Sequence, residues 1–264
     1  MTVTPVRGSG VRREECVRVG PFDVLDASTA DVIARLVDAI PTFDGDRCHV
    51  AYDLHVGAFL HTGIPGYVDV INRADTVYAD GASVVLLAKV AGARSIERSP
   101  TTDIGWDVLR AVRRRLERPA RVAFIGGPAG LAERAAKVLE ASGLATCVAA
   151  ADGFQPSYDG LLEALRDSEA EVILVGMGMP LEAIWVERHR SHLGNALVMT
   201  CGGWFGFVVN DEQRSPQWVQ RIGMEWTWRI AQDPQRLARR YALGALRTVQ
   251  YLPGQLRHRR SSTC

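Results

Sequence analysis

Ile71-Asn72-Arg73-Ala74-Asp75-Thr76-Val77-Tyr78-Ala79-Asp80-Gly81-Ala82-Ser83-Val84-Val85 is the stretch that decides how the chain folds. Thr76 to Ala79 is a short β-branched and aromatic run. The apolar spacing from Val84 through Leu86, Leu87 and Val90 suits a helix, so Asp80-Gly81 falls at a strand-to-helix junction. Open α/β sheets hold their ligands beyond the carboxyl ends of the strands. A carboxylate there can meet a substrate hydroxyl, and a glycine beside it lets the backbone come close. Asp80 is therefore the leading candidate for a general base. The competing reading, commoner on residue type alone, is an Asp that only caps the following helix.

Outward from this junction the pattern repeats. Upstream, Cys16 to Val19 and Phe22 to Leu25 alternate like strands, and Ser28 and Thr29 stand where a helix through Val32, Leu36 and Ile40 would be capped. His49 to Tyr52 is a strand running into Asp53-Leu54-His55, followed by a helix through Val68, Val70 and Ile71. Its end brings Tyr52, Asp53 and His55 towards Asp80. Between them, Asp44-Gly45-Asp46 mimics a metal-binding DxD motif but precedes a strand, and it reads as a turn.

Downstream, a polar loop from Glu97 to Asp103 opens a helix with Trp106, Leu109, Val112 and Leu116 on one face. Strands are expected at Val122–Ile125, Thr146–Ala150, Val172–Val175 and Ala196–Thr200, with helices between them. Such alternation gives a Rossmann-like α/β fold, a mostly parallel sheet with helices on both faces. Gly126-Gly127-Pro128-Ala129-Gly130 follows one strand and suits either a diphosphate cradle or close packing of strand on helix. Gly176 to Pro180 and Cys201-Gly202-Gly203 end two others.

The chain of 264 residues, 47% hydrophobic, can bury a sizeable core. Five cysteines without metal-ligand spacing fit free thiols in a reducing compartment, and the polar first residues and lack of a long apolar run point to a cytoplasmic protein. Arg214 to Arg260 carries ten arginines against Glu225 and Asp233, a local +8 in a chain of net +1, which leaves −7 elsewhere. The expected organisation is a flexible arm over 1–14, an α/β domain over 15–210 and an Arg-rich helical appendage over 211–264. A helix should run from Asp233-Pro234 towards Tyr251, with Arg236, Arg240 and Arg247 on one face and aromatic groups suited to a membrane interface.

Several motifs coincide in order: Asn72-Arg73-Ala74-Asp75 with Ala79-Asp80-Gly81, Phe124-Ile125-Gly126-Gly127, Gly176-x-Gly-x-Pro180 with Trp185, and Gly202-Gly203-x-Phe205. Arg214-Ser215-Pro216-x-Trp218, Gly223-Met224-Glu225-Trp226-x-x-Arg229, Asp233-Pro234-x-Arg236 and Arg239-Arg240-Tyr241 follow. Together, from about Cys16 to Tyr251, the chain resembles the WecG/TagA/CpsF family of bacterial glycosyltransferases. The resemblance implies an inverting enzyme that moves a sugar from a nucleotide-diphosphate sugar, typically UDP-linked, to a polyprenyl-diphosphate-linked sugar at the cytoplasmic membrane face. It places the proposed catalytic base on Asp80, and it gives the Arg-rich segment a part in completing the site and docking on membrane. The chain departs from the family pattern at Leu181, Glu182 and Ala183, where Lys-Gln-Glu is usual, at Tyr52-Asp53-Leu54, where Thr-x-Asn is usual, and at Gly206, where Asp is usual.

The residues expected to contact substrate are Tyr52, Asp53, His55, Gly81, Asp103, Gly126, Gly127, Gly178, Glu182, Gly202, Gly203, Arg229 and Arg236, around Asp80 as base. The expected partners are a nucleotide-sugar donor, a lipid-linked or small-molecule acceptor, a membrane surface met by the tail, and a second copy of the chain in a homo-oligomer. No cofactor, metal or nucleic acid is expected. Two other functions compete: the same transfer to a soluble secondary metabolite, and a non-catalytic nucleotide-sugar sensor or scaffold.

Overall fold

The computed structural model describes residues 15–40, 47–212, 216, 219, 225–232 and 234–261. The expected arm over 1–14, the Asp44-Gly45-Asp46 turn, Arg214-Ser215 and the Asp233 cap lie outside the described residues. Strands β1 (Cys16–Val19) and β2 (Phe22–Leu25) form a separate antiparallel hairpin. Helix α1 (Thr29–Asp38) follows, with Ser28 accepting from the Asp31 N–H as its cap.

The main sheet has six strands, all parallel: β3 (His49–Leu54), β4 (Thr76–Ala79), β5 (Ala120–Gly126), β6 (Ala145–Ala151), β7 (Val172–Gly176) and β8 (Leu197–Thr200), in the order β4-β3-β8-β7-β5-β6. Strands buried on both faces need near-continuous apolar runs, which Val172-Ile173-Leu174-Val175 supplies. One face is covered by α2 (Tyr67–Asn72), α3 (Ala82–Ala91), α6 (Asp159–Ser168) and α7 (Leu181–His189). The other packs under α1, α4 (Thr101–Leu116), α5 (Leu131–Ala141) and α8 (Trp204–Val208). The helix expected through Val68, Val70 and Ile71 is α2, and a 3-10 turn over Val56–His61 precedes it.

Asn72-Arg73-Ala74-Asp75 is structural. The Asn72 side chain accepts from the Asp23 N–H and donates to the Pro21 carbonyl, pinning the hairpin, while Arg73 pairs with Glu187 at 2.8 Å. Asp75 is buried and accepts from Arg47 at 2.5 Å, Arg190 at 2.7 Å and the Val50 N–H at 3.0 Å. Donors of this kind offset the cost of burying a carboxylate.

The C-terminal segment forms three helices, α9 (Glu225–Gln232), α10 (Pro234–Val249) and α11 (Leu252–Ser261), of which α10 is the helix expected from Pro234 towards Tyr251. Pro253 in the first turn of α11 suits a fresh start, since its missing N–H would have no partner there. Helix α10 lies against the Val56–His61 turn so closely that a Cβ on Gly244 would stand 2.8 Å from Val56 Cγ2. Tyr251 packs on Phe59 with ring centroids 5.6 Å apart.

Candidate active site

The site grows from the carboxyl ends of β3, β4, β7 and β8. Leu54 pairs in register with Ala79, so Asp53 stands one residue short of the end of β3 and Asp80 just beyond β4. The chain leaves β3 towards the α2 face and leaves β8 towards the α8 face, opposite sides of the sheet. Between two strands whose connections diverge in this way, a crevice opens.

Asp80 does not cap α3. The cap position is Gly81, with no side-chain cap bond, and the Asp80 side chain is instead hydrogen-bonded to Asp53. The Asp80 and Gly81 N–H groups donate to the Leu54 carbonyl at 3.0 and 3.2 Å, fixing the junction on the end of β3. A Cβ on Gly81 would stand 3.1 Å from the His55 Cα, so the two backbones run in close contact. Asp80 is half-buried, whereas Asp53 is only 2% exposed. Asp80 is thus the member of the pair that a substrate can reach.

The Asp53 N–H donates to Thr200 Oγ1 at 3.2 Å, and the Thr200 hydroxyl donates back to Asp53 Oδ1. Burial, then the negative charge of Glu182, pushes the Asp53 carboxyl up to about 7; the bonds from Thr200 and Asp80 oppose that rise. Glu182 is 1% exposed, and its Oε2 accepts from the Gly178 N–H at 3.0 Å and the Gly202 N–H at 3.3 Å. It ties the turn after β7 to the turn after β8. Tyr52 is buried and donates its hydroxyl to the Ala183 carbonyl at 3.3 Å, which makes it a support under α7.

The glycine turn after β5 resolves as packing. Gly126 has φ 135°, and a Cβ there would stand 2.3 Å from the Gly176 carbonyl oxygen. The Gly127 N–H donates to that carbonyl at 2.9 Å, so this donor is committed within the protein. His55 Nδ1 accepts from the Gly57 N–H at 2.9 Å and caps the 3-10 turn. Gly203 is exposed at the start of α8. Asp103 lies in the first turn of α4, lining a surface depression of about 410 Å³ with Thr102, Trp106, Asp107 and Arg110. Arg229 and Arg236 fall on α9 and α10, and their side chains lie outside the described residues.

The structure therefore gathers Asp53, Asp80, Gly178, Glu182 and Gly202 into one cluster, and it adds Thr200, which the sequence offered only as the end of a strand. Its signal was a hydroxyl closing an apolar run at the same sheet edge as Asp53 and Asp80. Among the described residues, no group of His, Cys, Asp and Glu side chains is placed to hold a metal ion. The family model for glycosyl transferases of the WecG/TagA/CpsF type matches residues 17–262.

The raised Asp53 carboxyl makes stability depend on pH. Between about 4 and about 7 the folded protein holds a proton that the unfolded chain has released, so this group's contribution falls as pH rises through that window. His49, pushed down to about 4 chiefly by burial, acts the other way, and its contribution rises with pH between about 4 and about 6.5. Replacing Asp53 by Asn should remove the first slope. The unfolding free energy of the variant, relative to wild type, should then climb with pH by up to about 1.4 kcal/mol per unit in urea titrations. A difference that stays flat across the window would show that Asp53 carries no such proton.

Proposed function

Because the chain belongs to the WecG/TagA/CpsF family of glycosyl transferases, we propose that it moves a hexosyl group from a nucleotide-diphosphate sugar, probed first as the UDP form, to an acceptor hydroxyl with inversion at the anomeric carbon. The observation that carries this reading is Asp80: half-buried at the carboxyl edge, not used as a helix cap, and held by a second carboxyl group. The acceptor oxygen bonds to the anomeric carbon while Asp80 takes its proton. The bond from that carbon to the diphosphate oxygen breaks, and the diphosphate leaves with the electron pair. Arginines of the C-terminal segment, Arg229 and Arg236 first among them, and backbone N–H groups meet the charge of the leaving diphosphate in place of a metal.

The acceptor in this reading is a polyprenyl-diphosphate-linked sugar at the inner face of the membrane. Among the described residues no helix is long and apolar enough to cross a membrane. Helix α10 instead offers an outward face: Arg239, Ala242, Leu243, Leu246 and Val249 are exposed, on the side away from the buried Gly244 and Thr248. Exposed apolar groups beside arginines suit an anionic bilayer surface. A soluble acceptor is the second reading, supported by Leu181, which is 49% exposed at the start of α7 where the family carries Lys.

Replacing Asp80 by Asn should lower turnover about 100-fold or more and leave donor binding by calorimetry intact. Equal turnover would remove Asp80 from the role of base. A Leu246→Glu, Arg247→Glu double variant, both positions being exposed, should weaken co-sedimentation with anionic liposomes roughly tenfold or more. A wild-type protein that ignores such liposomes would put the soluble acceptor first.

A further inference from the structure

We propose that the depression on the outward face of α4 is the subsite for a sugar ring of the acceptor, with Trp106 as its platform and Asp107 and Arg110 as the pair that orients its hydroxyl groups. The inference rests on the reading of the protein as a glycosyl transferase and adds to it the part of the acceptor that is recognised, a neutral sugar ring.

Thr102, Asp103, Trp106, Asp107 and Arg110 recur at helical spacing and share one face of α4, opposite the buried Ile104, Val108 and Val112. The depression they line, of about 410 Å³, has the size of a small-ligand site. It also stands next to the carboxyl edge of the sheet. The Ser99 N–H donates to the Ala79 carbonyl at 2.7 Å, and Thr101 Oγ1 shares a hydrogen bond of 2.7 Å with the Tyr78 hydroxyl, so the start of α4 is tied to the strand that leads to Asp80. Trp204, which follows Gly202-Gly203 after β8, meets Trp106 edge to face, with ring centroids 6.1 Å apart. A Cβ on Gly105 would stand 2.6 Å from the Trp204 ring, so α4 and α8 approach this closely only because that residue is glycine. The buried Trp204 thus holds a half-buried Trp106 in place before any ligand arrives.

The chemistry of this face suits a sugar. An aromatic plane packs against the C–H face of a pyranose ring, while carboxylates and a guanidinium group meet its hydroxyls. Arg110 lies over the Trp106 ring at 5.9 Å and pairs with Asp107 at 2.9 Å, and both charged side chains are half exposed. An ion pair in that setting is held weakly, so hydroxyl groups can intervene without a large loss. Two carboxylates against one guanidinium leave the face acidic, which opposes a diphosphate. The transferred sugar of the donor is bonded directly to its diphosphate, whereas the attacked sugar of an acceptor carries its nucleophilic hydroxyl at a carbon other than the one that bears its own linkage. A neutral ring of the acceptor therefore fits this face better than the donor does.

Saturation-transfer NMR with the methyl glycosides of glucose, galactose and N-acetylglucosamine reads the subsite without turnover. At least one of them should receive saturation at its ring C–H groups from wild type, and Trp106→Ala should abolish the transfer. In kinetics, Trp106→Ala should raise KM for the acceptor about tenfold or more while donor affinity by calorimetry stays unchanged. Trp106→Tyr, which keeps a flat ring, should remain within about threefold of wild type. The rise is expected both with a polyprenyl-diphosphate-linked sugar and with a soluble glycoside, and the arm in which wild type turns over identifies the source of the ring. Should Trp106→Ala fail to fold, Asp107→Ala and Arg110→Ala, at exposed positions, should each raise the same KM about threefold or more. No transfer to any of the glycosides in wild type, an unmoved acceptor KM in these variants, or a loss of donor affinity in its place would overturn the proposal. Transfer that depends on Trp106, beside full turnover of Asp80→Asn, would uphold the subsite while removing Asp80 as base.

Discussion

A carboxyl group taken out of water must find a cation, a set of donors or a proton, and the site depends on which of these each buried acid finds. Asp75, before β4, finds Arg47, Arg190 and a backbone N–H, and it serves to lock strand β3 to the segment after α7. Asp53, at the opposite end of β3, finds Thr200 and Asp80. The same residue type thus meets two guanidinium groups at one edge of the sheet and a hydroxyl and a second carboxyl group at the other.

That arrangement needs strand ends closer together than side chains permit. A Cβ on Gly126 would lie 2.3 Å from the Gly176 carbonyl oxygen, and one on Gly176 would lie 2.8 Å from the Gly202 carbonyl oxygen. Both distances are far inside contact, so β5, β7 and β8 converge only because these positions are glycine. The convergence lets one Glu182 oxygen accept from Gly178 and Gly202 together. It also sets a negative charge close enough to Asp53 to act on its proton. The glycine motifs therefore shape the site through packing, and the donors that complete a diphosphate subsite are sought in the C-terminal arginines.

The alternation of strands and helices was legible because each strand is a short apolar run and each helix carries apolar spacing, signals that local sequence contains. The strand order was not, since nothing local tells β3 to lie between β4 and β8. Asp80 at a strand-to-helix junction was equally plain. Whether it caps α3 could not be read, because a capping Asp and a catalytic Asp are the same residue, and the answer lay in a bond to Asp53 across two strands. Asn72-Arg73-Ala74-Asp75 helped to carry the family resemblance, yet its work is structural, through partners at Pro21, Arg47, Glu187 and Arg190 that are remote in sequence. The C-terminal helix expected from Asp233-Pro234 towards Tyr251 was legible, because a proline suited to a first turn marks its start, and it is observed as α10.

The central claim is that Asp80 activates an acceptor hydroxyl for direct displacement of the diphosphate. Such a displacement must invert the anomeric carbon, because the nucleophile enters opposite the leaving group. The most direct measurement is the anomeric configuration of the transferred sugar, read from the one-bond carbon–hydrogen coupling at its anomeric centre by NMR. The account predicts that an α-linked donor yields a β-linked product. A product that keeps the donor's configuration would contradict it, since retention calls for a different chemistry from a base acting on the acceptor.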